Sequence, residues 1–100
     1  MNGRGPDFLA HKEGDSVAVA VRDLDRGSVA GAYLEGPDGV EVDLSSDVPL
    51  GHKLALQDVA AGEDVIEYGV RVGIAIWDIK RGDYVHVHNV RSARWQNSVA

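Results

Sequence analysis

The stretch Ala75-Ile76-Trp77-Asp78-Ile79-Lys80-Arg81-Gly82 decides the fold, because its form returns twice more in the chain. Ala20-Val21-Arg22-Asp23-Leu24-Asp25-Arg26-Gly27 and Ala55-Leu56-Gln57-Asp58-Val59-Ala60-Ala61-Gly62 share the pattern Ala-x-x-Asp-(Leu/Val/Ile)-x-x-Gly. Each copy follows an apolar run and is followed within three residues by Val29, Val65 or Val85. An apolar strand that runs into Asp can turn there, since the carboxylate accepts backbone N–H groups of the turn it starts. The aliphatic residue after Asp pins that corner to the core. Gly supplies backbone angles that other residues reach only at a cost. The repeat therefore predicts short strands joined by compact corners, and its unequal spacing excludes a regular solenoid.

The flanking sequence agrees. Val17–Val21 and Val70–Ile79 are rich in β-branched residues, and Tyr84-Val85-His86-Val87-His88 alternates with period two. That alternation predicts a strand with Tyr84, His86 and His88 on one face. Strands are also expected near Val29–Leu34 and Val40–Leu44, with a turn over Glu35–Gly39. Only Lys53–Ala60 suggests a helical turn or two, and no amphipathic helix of ordinary length is present. The fold class is all-β, in one domain over residues 8–95. Residues 1–7 are expected to be a disordered N-terminus and 96–100 a tail.

Bulk properties narrow the function. The 100 residues carry 10 basic and 16 acidic side chains, a formal net charge of −6, with the basic residues scattered. Neutralising phosphates needs clustered Lys and Arg, so nucleic acid is not the expected partner. The absence of cysteine excludes disulfides, thiolate metal sites and Cys nucleophiles. The start of the chain lacks the apolar run of a signal peptide, and no segment approaches the ~20 apolar residues of a membrane span. A cytoplasmic protein without a membrane partner is expected.

Two segments carry candidate chemistry. In Val48-Pro49-Leu50-Gly51-His52-Lys53, the imidazole of His52 and the ammonium of Lys53 could join a proton-transfer group to a fixed positive charge. The plain alternative is a loop with both side chains solvated. In His86-Val87-His88-Asn89, two imidazoles on one strand face suit an acid–base pair or a metal, with Asn89 as an orienting amide. A half-exposed strand bearing two ordinary histidines is the alternative, and a third ligand would have to be His52 or come from a partner chain. His11 could join the same site or simply cap a strand. Asp23, Asp58 and Asp78 belong to the repeat and are read as corner-forming. Arg91-Ser92-Ala93-Arg94-Trp95 reads either as a protein contact surface or as a tail folded on its own domain.

In order along the chain, Gly14-Asp15-Ser16-Val17-Ala18-Val19-Ala20-Val21, Pro49-Leu50-Gly51-His52-Lys53-Leu54-Ala55-Leu56-Gln57-Asp58-Val59, Val65-Ile66-Glu67-Tyr68-Gly69 and Gly82-Asp83-Tyr84-Val85-His86-Val87-His88-Asn89-Val90 resemble the SAF-type (antifreeze-like, β-clip) domain of the altronate/galactarate dehydratase family. The resemblance runs from about Phe8 to Trp95, and its opening and ending look closer to the (2R)-sulfolactate sulfo-lyase alpha-subunit branch. It implies a β-clip fold and a lyase acting by β-elimination on a small anionic hydroxy or sulfo acid. It also implies a large catalytic subunit as partner and a divalent metal, iron, held mainly by that subunit. In the site so implied, His52, His86 and His88 are catalytic, and Lys53, Asn89 and His11 contact substrate, with metal ligands unassigned. Two other readings stay open, namely the small subunit of a sugar-acid dehydratase and a non-catalytic sugar-acid-binding module. A private metal site formed by the histidines is a further possibility.

Overall fold

The computed structural model describes residues 5–36 and 39–92. They form nine strands: β1 (Phe8–Lys12), β2 (Val17–Ala20), β3 (Gly27–Glu35), β4 (Val40–Leu44), β5 (Lys53–Ala55), β6 (Asp64–Glu67), β7 (Val70–Ala75), β8 (Tyr84–Val85) and β9 (Val90–Ser92). No helix occurs among the described residues. The all-β expectation holds, while the helical turn expected over Lys53–Ala60 is replaced by β5 and a corner. Leu54 and Ala55 are both fully buried, one on each side of the sheet, and a strand allows this where a helical turn would not.

The strands form a six-stranded sheet in the order β4-β3-β1-β2-β5-β8 and a three-stranded sheet in the order β6-β7-β9. All pairings are antiparallel except β1 with β3, where Phe8 lies opposite Gly31. That pair explains one glycine: a Cβ at position 31 would stand 2.2 Å from the Phe8 ring. Two apolar clusters result. The first gathers Phe8, Leu24, Val42, Leu44, Val48 and Leu54, and the second Val17, Val59, Val65, Ile79 and Val85.

Each cluster is built around a pair of corners. Leu24 and Val48 exchange both backbone hydrogen bonds (2.8 and 2.9 Å), and Val59 and Ile79 do the same (2.8 Å each). The carboxylates act across these pairs rather than within their own turns. Asp58 accepts from the Arg81 N–H and Asp78 from the Ala61 N–H, both at 2.9 Å. Asp23 accepts from the Leu50 N–H (2.9 Å), and Asp47 from the Arg26 N–H (2.8 Å). This corrects the expectation that each Asp serves the turn it starts. In each case the donor is the residue three past the partner corner's own Asp.

The same geometry exposes a fourth corner, Leu44-Ser45-Ser46-Asp47-Val48-Pro49-Leu50-Gly51. It begins with Leu in place of Ala, yet keeps Asp, an aliphatic residue and Gly at the same offsets. The four corner glycines, Gly27, Gly51, Gly62 and Gly82, all have positive φ. Four corners clipped in two pairs, each pair under its own core cluster, make a doubled β-clip. Arg81 ties the halves together by donating to the Leu56 and Glu41 carbonyls at 2.9 and 2.6 Å.

The N-terminal side of the domain is also bonded. Asp7 accepts the Ala30 N–H on its carboxylate (2.9 Å), and the Val21 N–H donates to its carbonyl (3.0 Å). Ala93, Arg94 and Trp95, read from sequence as part of a contact surface or tail, lie outside the described residues, as do positions 96–100.

Candidate active site

Strand pairing brings the two candidate segments together. β5 and β8 are antiparallel with Lys53 opposite Val85 and Leu54 opposite Tyr84. Extending that register by one residue sets His52 against His86, and directly opposed residues sit close enough for their side chains to touch. Their ring centroids are 4.8 Å apart. Tyr84, the diagonal neighbour, stacks on His86 at 5.7 Å with 9° between the planes. The Tyr84 hydroxyl is hydrogen-bonded to His52 Nδ1 at 2.5 Å. His88 lies 5.5 Å from Tyr84 and 6.0 Å from Trp77. Three of the four histidines thus share one ring cluster.

The strand expected over Tyr84–His88 is shorter than its alternation suggests. It ends at Val85, and residues 86–89 form a tight turn. The reason is Asn89, whose side chain is buried and engaged at both ends. Its Oδ1 accepts the His86 N–H (2.9 Å), and its Nδ2 donates to the Tyr84 carbonyl (2.7 Å). An Asn that bonds nearby backbone offers the chain an alternative to the sheet ladder. Asn89 therefore shapes the turn that carries His86 and His88, with one bond to backbone at each end of its amide.

Lys53 and His52, adjacent in sequence, diverge in space because successive strand residues point to opposite faces. The Lys53 ammonium lies 3.4 Å from the carboxylate of Glu67, which is buried on β6. Both nevertheless border one groove of about 340 Å³, with His86, Val65, Val72, Val85, Val87 and Val90 among its lining. His11 stands apart: its ring packs on Tyr68 at 4.5 Å, and its Nε2 lies 3.6 Å from a Glu35 carboxylate oxygen. β1 presents it to the β6–β7 turn, not to the His52–His86 edge. That turn is itself held by the buried carboxylate of Asp15, which accepts the Tyr68 and Gly69 N–H groups at 2.9 and 3.1 Å.

Among the described residues, no three His, Asp or Glu side chains are grouped as metal ligands. In the ring cluster, His52 Nδ1 is occupied by the Tyr84 hydroxyl. What the cluster can do is hold and pass protons and donate hydrogen bonds to an anion. Tyr84 was visible in the sequence only as a face-mate of the histidines, because its bond to His52 spans two segments far apart in the chain.

Ile76, Trp77 and Val87 are exposed beside the cluster, Val87 by 76 %. No helix of the described residues is long and apolar enough to cross a membrane.

This all-β architecture is consistent with a SAF-type domain, and residues 6–93 match the altronate/galactarate dehydratase SAF domain family. The chain belongs to that family. It is 36 % identical over 91 residues to the (2R)-sulfolactate sulfo-lyase subunit alpha of Chromohalobacter salexigens, covering 89 % of this chain and 97 % of that protein. It is 45 % identical over 78 residues to the altronate dehydratase of Escherichia coli, and 37 % identical over 82 residues to that of Bacillus subtilis. Those stretches take in 78 % and 82 % of this chain respectively, but only 15 % of either dehydratase. The same domain thus occurs as a separate subunit of a multi-subunit lyase and as a small part of much longer dehydratase chains.

Proposed function

We propose that this chain is the small subunit of a two-subunit lyase that eliminates sulfite from a sulfo acid such as (2R)-sulfolactate. The observation that carries the reading is the ring cluster. His52, His86 and His88 meet beside one open groove, and exposed apolar side chains flank them. An edge of this kind suits a half-site that a second protein surface completes. Near-complete coverage of a free-standing lyase subunit supports the two-chain arrangement. A cytoplasmic setting goes with the same reading, and the divalent metal belongs to the large chain.

In the elimination, the proton α to the carboxylate is removed, and its bonding pair becomes the new carbon–carbon double bond. The carbon–sulfur pair leaves with sulfite, and the resulting enol gives the keto acid. This chain's part is to hold the anionic groups and to exchange protons at imidazole nitrogen. Lys53, half-exposed at the groove beside Glu67, supplies positive charge to a sulfonate or carboxylate. His86 and His88, carried by the Asn89 turn, stand where a proton could be taken or returned.

The higher identity to the Escherichia coli altronate dehydratase favours a second reading, in which water leaves from a sugar acid by the same bond changes. Assaying the chain together with its large partner on both substrate types separates the two. Sulfite release supports the first reading, and a 2-keto-3-deoxy acid supports the second.

A further inference from the structure

A neutral imidazole carries one N–H, and which nitrogen holds it follows from what binds the other. His52 is bonded at Nδ1 by the Tyr84 hydroxyl, and no other described group bonds either His52 ring nitrogen or that hydroxyl. The phenol has one proton to give and one acceptor in reach. Its oxygen lone pair is partly delocalised into the ring, so it accepts less well than an unprotonated imidazole nitrogen. Tyr84 cannot swing aside, because its ring packs on the first core cluster and stacks on His86. We infer that Tyr84 is a positioning residue that donates its hydroxyl proton to His52 Nδ1 and so holds neutral His52 as the Nε2–H tautomer.

The consequence sorts the histidines. An Nε2–H is a hydrogen-bond donor, suited to an anionic oxygen of a sulfonate, a carboxylate or a departing group. It is not a base for a carbon-bound proton, so abstraction falls to His86, His88 or the large chain. This assignment of roles rests on the lyase reading, whereas the tautomer does not.

The test uses the full chain with its histidines labelled by ¹⁵N, observed through long-range proton–nitrogen correlations at a pH well above imidazole titration. His52 is expected to show a pyridine-type Nδ1 and a protonated Nε2. In Tyr84→Phe that bias should be lost, with both nitrogens moving toward tautomer-averaged shifts. An Nδ1–H tautomer in the unsubstituted chain would overturn the inference, and so would a Tyr84→Phe spectrum identical to the parent at His52. If Tyr84→Phe does not fold, the parent chain alone decides. A Tyr84 hydroxyl proton correlated across the bond to His52 Nδ1 supports the assignment, and a protonated Nδ1 refutes it. Since no partner or substrate is involved, failure of the lyase reading leaves the result intact.

Discussion

Four aspartates and their paired corners set the domain's local geometry, and their bonds are individually modest. The Asp58 carboxylate accepts one backbone N–H, from Arg81, near the surface. Replacing it with Ala should cost about 1 kcal/mol in urea denaturation, while Asp58→Asn, which keeps an acceptor, should cost a few tenths. Gly82 is less forgiving. Its φ is +94°, and a Cβ there would stand 2.1 Å from the Asp43 carbonyl oxygen, a backbone atom that cannot turn away. Gly82→Ala should destabilise by about 2–4 kcal/mol, combining backbone strain with overpacking, and a thermal melt would read it directly. His11, read as either joining the site or capping a strand, is carried by its strand to Tyr68 and Glu35.

At the level of elements, the turn over residues 86–89 links fold to chemistry. Asn89→Ala would leave the part-buried His86 N–H and Tyr84 carbonyl without their side-chain partner. A loss of about 1–3 kcal/mol is expected. The His86 and His88 side-chain signals should broaden or shift in NMR while those of the Leu24–Val48 corner pair stay put. Period-two alternation alone read this segment as strand through His88, because alternation is blind to an Asn that captures backbone groups three and five residues back. The corners were legible for a firmer reason: Asp, aliphatic and Gly at fixed offsets encode a shape that few other sequences satisfy. The fourth copy escaped because it opens on Leu44, not Ala, although the first position needs only to be small or apolar and buried. Which corner pairs with which was not legible at all, since the Asp bonds run between segments 17 or more residues apart.

For the whole molecule, the two core clusters make a rigid frame whose β5–β8 edge gathers chemistry from residues 52 and 84–88. The frame presents an open groove, not an enclosed chamber, and a lyase needs its reacting centre shielded from water. On the proposed function, the relatives' two arrangements, separate subunit and part of a longer chain, would be two ways of bringing the remaining surface to that edge. The cluster itself was half legible: His52, His86 and His88 stood out as residue types, whereas the cross-strand register that joins them is a tertiary fact. The most direct test is sulfite release from (2R)-sulfolactate by the purified chain combined with its large lyase-family partner, run with the parent chain and with His86→Ala. Sulfite should appear only when both chains are present, and His86→Ala should lower turnover by about 10²–10⁴-fold. A large chain fully active alone, or a His86→Ala complex that keeps full turnover, would contradict the account.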